Sequence, residues 1–149
     1  MRIKVAALAL SASALVGIAS WEGFVANAYQ DIVGIWTIGF GTTEGVKKGQ
    51  TIDPVKALQR KLTDVQKFEG ALKQCIKVPL HQHEYDAFLS LAYNIGPTAF
   101  CNSTLVRRLN QEQYELACRE ILRWDKAGGK PVRGLTLRRE AEYRQCMGL

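Results

Sequence analysis

The chain has 149 residues, an apolar content of 47% and a net charge of +6. This length suits one compact domain or two small lobes that share a helix, and the apolar content excludes an intrinsically disordered chain. The positive charge favours a polyanionic partner, but the basic residues lack the interleaved glycine and aromatic residues of a nucleic-acid-binding surface. We therefore expect a globular protein that does not bind nucleic acid.

The N-terminal region is typical of a weak membrane segment. Residues 5–21 carry no charge and lie between Lys4 and Glu22. As a helix, this run would measure about 26 Å, slightly less than the ~30 Å hydrocarbon core of a bilayer. The flanking charges predict that the N-terminus stays inside and that the remainder is exported. Ten of the sixteen residues from 5 to 20 are Ala, Ser or Gly, so the segment gains little free energy by staying in the bilayer.

A cleaved signal peptide is the alternative interpretation, because Ala12-Ser13-Ala14 offers an A-x-A cleavage site. Retention is favoured by Glu22. If this glutamate is catalytic, the helix that presents it consists of residues 15–21, and cleavage after Ser20 would remove that helix. We therefore predict a retained membrane segment over residues 1–21 that overlaps the first catalytic helix, and a catalytic domain over residues 22–149.

A β-hairpin is predicted within residues 28–49. Alternation through residues 35–40 places Trp36, Ile38 and Phe40 on one face of a strand and Thr37 on the opposite face. Thr37 would then present its hydroxyl away from the apolar face.

A mainly helical region follows the hairpin. Thr51 is predicted to be the N-cap of a long amphipathic helix, with Asp53 and Pro54 in its first turn, that ends near Cys75. Its apolar face is predicted from Val55 onward. Further helices are predicted over residues 82–95, 103–110, 111–124 and 135–147, with a glycine-rich loop around residues 128–134.

The four cysteines, Cys75, Cys101, Cys118 and Cys146, are too widely spaced for a C-x-x-C zinc or redox motif. An even number behind an export-like N-terminus indicates two structural disulfides. Four buried free thiols are the alternative.

Three polar residues are candidates for acid–base chemistry on a sugar acetal. Such hydrolysis requires one carboxylic acid to protonate the leaving oxygen and a second group to control the attacking water. Glu22 ends an apolar helix, Asp31 begins the hairpin and Thr37 lies in its strand, so all three could face one cleft. Taken singly, each has an ordinary explanation: a topological charge, a turn former and a residue with high strand propensity.

Taken together, the three residues match a known motif. The runs from Glu22-Gly23 through Tyr29-Gln30-Asp31 to residues 34–41 resemble the phage-type lysozyme family (glycoside hydrolase family 24). That family has E-G, nine residues to D and six more to T, within Y-x-D-x-x-G-x-x-T-I-G-x-G, and the spacing here fits without a gap. The resemblance covers about residues 15–147 and continues through Val78-Pro79-Leu80, Asn94-Ile95-Gly96, Arg123-Trp124, Ala127-Gly128-Gly129 and Arg138-Arg139.

The resemblance implies an α+β, two-lobed lysozyme fold in which a long helix joins a small β-hairpin lobe to a mainly helical C-terminal lobe. It also implies an N-acetylmuramidase, generally inverting, that cuts the glycan strands of peptidoglycan and lyses the host cell. Glu22 would be the proton donor, and Asp31 and Thr37 would hold the water. Inversion requires a carboxyl separation of about 6.5–9.5 Å. Tyr93 and Ser103 would line the sugar cleft, although Tyr93 also suits simple core packing.

One position departs from the family pattern. Where the family often has histidine after the last glycine of the hairpin motif, this chain has Thr42. We interpret this difference as the loss of a supporting contact in the hairpin lobe. We expect a monomer without cofactor or metal.

The N-terminus resembles that of the signal-arrest-release endolysins within this family. This resemblance implies that residues 5–21 tether an inactive enzyme to the inner membrane, facing the periplasm, and that release makes it soluble and active. Residues 1–74 contain no cysteine, so relocation of the helix is the remaining switch. Alongside this resemblance we predict the disulfide pairs Cys75–Cys101 and Cys118–Cys146.

Other polar clusters receive plainer interpretations. His81 and His83 lack supporting metal ligands and are interpreted as exposed capping residues. Arg138, Arg139 and Arg144 are interpreted as solvated, with one of them a candidate partner for Glu22. A lytic transglycosylase is the nearest alternative enzyme, although it needs no residues that position water. A tethered wall-binding protein without catalysis is the alternative from another class.

Overall fold

The computed structural model describes all residues from 1 to 149. Two antiparallel hairpins and seven α-helices form, with short 3₁₀ turns among them. The elements are α1 (Ala12–Glu22), β1 (Val25–Gln30), β2 (Trp36–Gly39), α2 (Pro54–Cys75), α3 (Gln82–Ile95), α4 (Pro97–Cys101), α5 (Thr104–Leu109), α6 (Tyr114–Glu120), β3 (Lys126–Ala127), β4 (Lys130–Pro131) and α7 (Arg133–Met147).

The chain divides into two compact units. The small unit comprises residues 12–67, and the large unit comprises residues 1–11 and 68–149. The division between them falls within α2. No helix of the structure combines the length and the apolar character that crossing a membrane requires.

In the small unit, α1 consists of residues predicted to lie in the membrane segment, together with Glu22 at its end. Its buried side chains are Ala14, Leu15, Ile18 and Ala19. These positions lie on one helical face, because they recur one and four residues apart. Residues of the weakly apolar N-terminal segment therefore serve as core residues in the folded protein.

The predicted hairpin is present, but it begins earlier than expected. β1 starts at Val25 and pairs antiparallel with β2, with Tyr29 opposite Thr37 and a register irregularity before Tyr29. The sequence predicted that Thr37 would lie on the opposite face from the buried apolar side chains, and its exposure is not as expected. Thr37 is only 5% exposed and Ile38 only 1% exposed. β2 is therefore buried on both faces.

The start of α2 differs from the prediction. Asp53 rather than Thr51 caps the helix, since Oδ1 of Asp53 accepts a hydrogen bond from the backbone N–H of Lys56 at 3.0 Å and Pro54 occupies the first helical position, where its missing N–H costs nothing. Thr51 instead forms a β-bridge with Asn27. Val55, predicted to face the core, is 67% exposed.

The large unit has a core of α3 packed against α7. α3 begins and ends where the sequence predicted, and its buried residues include Tyr85, Phe88, Leu89 and Leu91. Both predicted disulfides are present and confirm the pairing: Cys75 with Cys101, and Cys118 with Cys146.

Three predicted elements of the large unit are corrected. The helix predicted over residues 111–124 is shorter, since α6 ends at Glu120 and a 3₁₀ turn follows over Ile121–Arg123. The glycine-rich loop contains the hairpin β3–β4. Gly128 and Gly129 both have positive φ, 58° and 78°, as a two-residue type I′ turn requires. α7 begins at Arg133 rather than at residue 135.

The prediction that the arginines of α7 are solvated is wrong for Arg138 and Arg139, which are 5% and 0% exposed. Both contact the carboxylate of Glu142, one helical turn further along. Oε1 of Glu142 also accepts a hydrogen bond from the Ser90 hydroxyl at 2.6 Å. Burial raises the pKa of Glu142, while the arginines and the serine act in the opposite direction. The buried charges are tolerated because they are paired.

The histidines are only partly exposed. His81 precedes α3, and its backbone N–H donates to Oε2 of Glu84 at 2.8 Å. The ring of His83 stacks on that of His81 at 5.1 Å, and its Nδ1 lies 3.1 Å from the carbonyl oxygen of Gln145. The capping interpretation is therefore confirmed for His81, whereas His83 contacts the end of α7.

Candidate active site

Glu22 is the last residue of α1, and its side chain is 29% exposed. The segment that follows β2 runs directly against it, because a Cβ added at Gly41 would lie 3.3 Å from Oε2 of Glu22. Gly41 also has a φ of +84°, a conformation that other residues rarely adopt. The backbone conformation thus favours glycine here, and a larger residue would also require the Glu22 carboxyl group to shift slightly.

Lys61 lies on the other side of this carboxyl group. Its Nζ is 4.0 Å from Oε1 of Glu22, and its side chain is 0% exposed. Sequence reasoning missed this residue, since a lysine in an amphipathic helix is usually solvated. A signal was present in the spacing: Lys61 lies four residues after Ala57 and four before Val65, and both are buried. These three positions form one helical face.

Asp31 forms the turn of the β1–β2 hairpin. Its Oδ1 accepts hydrogen bonds from the backbone N–H groups of Val33 at 3.0 Å and Ile35 at 2.9 Å. Its own N–H donates to the carbonyl of Ile35 at 3.0 Å. Both backbone donors use the same carboxylate oxygen, so Oδ2 remains available to accept a hydrogen bond from another molecule. The turn therefore fixes the direction of the carboxylate.

Thr37 lies in β2, opposite Tyr29. Its hydroxyl donates to the carbonyl of Ile35 at 3.1 Å. Because the hydroxyl proton is committed to this carbonyl, the hydroxyl oxygen is left to act as an acceptor. Asp31 and Thr37 therefore belong to one hairpin, and both bond to Ile35.

The expectation that Thr42 marks a lost contact is wrong. Thr42 is 2% exposed, and its hydroxyl donates to Oδ2 of Asp64 on α2 at 2.5 Å. Its backbone also exchanges two hydrogen bonds with Ile38. The short side chain of Thr42 thus supplies a partly buried polar link from the segment beside Gly41 to α2.

Glu22, Asp31 and Thr37 all lie in the small unit. Tyr93 and Ser103, the other two predicted site residues, belong to the large unit. The ring of Tyr93 packs edge-to-face on Phe68 with centroids 5.0 Å apart. The side chain of Ser103 caps α5, accepting from the N–H of Val106 and donating to the carbonyl of Phe100. These contacts account for both residues structurally, and their role in binding sugar stays a prediction.

The model of the phage lysozyme family matches residues 19–142. The chain belongs to the phage lysozyme family. It is 40% identical over 140 residues to the SAR-endolysin of Pseudomonas phage phiKMV. The alignment covers 91% of this chain and 87% of that relative.

Solved structures of the phage lysozyme type agree with the family assignment. The endolysin of Escherichia coli O157:H7 phage FAHEc1 has a TM-score of 0.86 at 36% identity, over 99% of this chain and 96% of that one. The muramidase domain of SpmX from Asticaccaulis excentricus has a TM-score of 0.88 at 27% identity, over 94% and 98%. These matches confirm the predicted α+β lysozyme fold, and the chain is a lysozyme-type hydrolase that acts on peptidoglycan.

Proposed function

We propose that this phage lysozyme hydrolyses the β-1,4 bond between N-acetylmuramic acid and N-acetylglucosamine with inversion, acting as a monomer. The observation that carries the proposal is the placement of two acceptors on one hairpin, both bonded to Ile35. Oδ2 of Asp31 and the hydroxyl oxygen of Thr37 are each left without a proton to donate. A water molecule that donates a hydrogen bond to both would keep a lone pair directed towards the sugar.

The proposed reaction needs only the chain's own side chains. Glu22 transfers its carboxyl proton to the glycosidic oxygen while the bond from that oxygen to the anomeric carbon breaks. Water attacks the anomeric carbon from the opposite face, and its proton passes to the Asp31 carboxylate. The new hydroxyl then lies in the α configuration, as in an inverting hydrolase. Thr37 orients the water without exchanging a proton.

The test compares Glu22→Gln with Glu44→Gln in the same unit. Glu44 is an exposed partner of Lys67, so its substitution serves as a matched control. We expect Glu22→Gln to lower the rate of glycan cleavage at least ~100-fold and Glu44→Gln to retain it. NMR of fresh products should show the α anomer first. A fresh β anomer would contradict inversion, and anhydro ends in mass spectra of released muropeptides would instead indicate a lytic transglycosylase.

We further propose that residues 5–21 hold the exported enzyme inactive at the inner membrane until release allows it to lyse the host. The composition of this segment and the similarity to a SAR-endolysin support the proposal. Leu15 and Ile18 are buried in the folded protein, so they cannot lie in a bilayer at the same time. The helix that ends at Glu22 can then join the enzyme only after the segment leaves the membrane.

Membrane fractionation before and after depolarisation tests this tether. We expect the full-length chain in the membrane fraction beforehand and in the soluble fraction afterwards, with lysis following. Ser20→Leu should slow release, because Ser20 is exposed in the folded enzyme and leucine strengthens the apolar segment. Ser20→Ala is the control. An exported protein that begins at Leu15 would refute a retained segment.

A further inference from the structure

Lys61 is a buried cation that the hydrolysis proposed above does not use. Its side chain is fully buried on α2, with Nζ 4.0 Å from Oε1 of Glu22. Removing an ammonium group from water is costly unless an opposite charge accompanies it. Its neighbours on the same helical face, Ala57 and Val65, are buried apolar residues, so packing alone would be served by an apolar side chain.

The position of Glu22 in α1 adds a second reason for a nearby cation. Glu22 ends α1, and the C-terminus of a helix carries a partial negative charge that disfavours a carboxylate. A buried ammonium 4.0 Å away offsets this repulsion, and it acts strongly because few water molecules screen a buried charge.

We propose that Lys61 is a positioning residue for the acid Glu22 and stabilises the charge that Glu22 acquires during the reaction. This inference rests on the proposed function. When Glu22 gives its proton to the glycosidic oxygen, a neutral carboxylic acid becomes a carboxylate. Lys61 keeps its own protons throughout and exchanges none with the substrate. In a molecule whose Glu22 carries its proton, the effect of Lys61 is therefore larger in the transition state than in the ground state, which is the condition for raising kcat.

The contacts of the two carboxyl oxygens explain how one orientation is maintained. Oε1 faces the ammonium of Lys61, and a Cβ added at Gly41 would lie 3.3 Å from Oε2, so a larger residue at position 41 would crowd that oxygen. A separation of 4.0 Å exceeds hydrogen-bond length, so Lys61 acts through its charge. The charge of residue 61, more than the shape of its side chain, should accordingly determine activity.

The experiment measures kcat, KM and Tm of the full, released chain on soluble glycan strands. Lys61→Met preserves the length of the side chain and removes its charge, while Lys61→Arg preserves the charge. We expect Lys61→Met to lower kcat by about 10- to 100-fold, an effect at or below that of losing one preorganised donor. KM should stay within about twofold. Tm should fall, because removing one partner of a pair leaves the charge of the other uncompensated, so kcat is compared at temperatures well below the Tm of the variant. Lys61→Arg should recover much of kcat.

Lys56→Met is the matched control, because Lys56 lies on the same helix with its side chain 75% exposed. It should leave kcat and Tm unchanged. The inference is overturned if Lys61→Met retains full kcat, raises only KM, or fails to fold, since each result assigns Lys61 to another role. Glu22→Gln distinguishes a failure of the proposed function from a failure of the role proposed for Lys61. If that variant remains active, the proposed function is wrong, whereas an inactive Glu22→Gln beside a fully active Lys61→Met refutes the role of Lys61 alone.

Discussion

Tyr85 links the core of the large unit to the N-terminal residues. Its side chain is buried, and its hydroxyl donates to Oε2 of Glu69. The same carboxylate oxygen accepts a hydrogen bond from the backbone N–H of Leu10 at 3.2 Å. Burial raises the pKa of the Tyr85 phenol above its usual value of 10.0, and the hydrogen bond to Glu69 raises it further. The phenol therefore stays protonated in the folded protein well into the alkaline range.

This shift predicts a loss of stability at alkaline pH. Below pH 10 the phenol is neutral in both states, so its full contribution is present. Above pH 10 it ionises only when the chain unfolds, and the free energy of unfolding should fall by up to ~1.4 kcal/mol per pH unit. Denaturant titrations at pH 8, 10 and 11 should show Tyr85→Phe less stable by about 1–3 kcal/mol at pH 8. That difference in the free energy of unfolding should narrow as the pH rises. A difference that stays constant from pH 8 to pH 11 would contradict the prediction.

At the scale of elements, the first eleven residues form an arm that is part of the large unit. The guanidinium of Arg2 pairs with Glu84 at 2.8 Å and lies 3.6 Å from the centre of the Tyr114 ring. At the other end of the arm, the backbone N–H and the hydroxyl of Ser11 donate to the two oxygens of Asp86 at 3.1 and 2.6 Å. Polar contacts thus join both ends of the arm to carboxylates of α3.

Ser11→Ala tests the attachment of this arm. Asp86 is 3% exposed, so the loss of a hydroxyl donor leaves a buried carboxylate less well satisfied. We expect the free energy of unfolding to fall by about 1–2 kcal/mol. Ser20→Ala is the comparison, since its exposed hydroxyl bonds only within α1, and it should change stability by less than ~0.5 kcal/mol. Equal effects in the two variants would show that the arm adds little stability.

At the scale of the whole molecule, covalent cross-links and candidate catalytic residues lie in different units. Both disulfides join residues of the large unit, with sequence separations of 26 and 28. Glu22, Asp31 and Thr37 lie in the small unit, which has no cysteine. The disulfides should therefore act on global stability and leave the proposed proton donor, Glu22, unaffected.

Removal of Cys118 and Cys146 together, as alanines, tests this separation. The loop that they close predicts a loss of roughly 3–4 kcal/mol in the free energy of unfolding. The kcat of the folded variant should match that of the parent at temperatures well below its Tm. A fall in kcat without a fall in stability would contradict the prediction, and reduction of the parent's disulfides provides an independent check.

Local sequence signals determined the limits of α3 and the choice of candidate site residues. α3 was predicted correctly because its apolar spacing ends at Gly96-Pro97, which stops a helix regardless of its surroundings. The motif spacing predicts Glu22, Asp31 and Thr37 as site residues, and the structure places them at a helix end and in one hairpin, both of which depend mainly on local geometry. Asp31 is both the expected turn former and the candidate site residue, so its two explanations agree.

Only the tertiary structure decided which polar groups are buried and what satisfies them. Arg138 and Arg139 were interpreted as solvated, yet Glu142 pairs with both in the interior. Thr42 binds Asp64, 22 residues away in the sequence, and Lys61 faces Glu22. Burial of a charge depends on partners that are distant in the sequence. The apolar periodicity of a single helix does not indicate which residues those partners are.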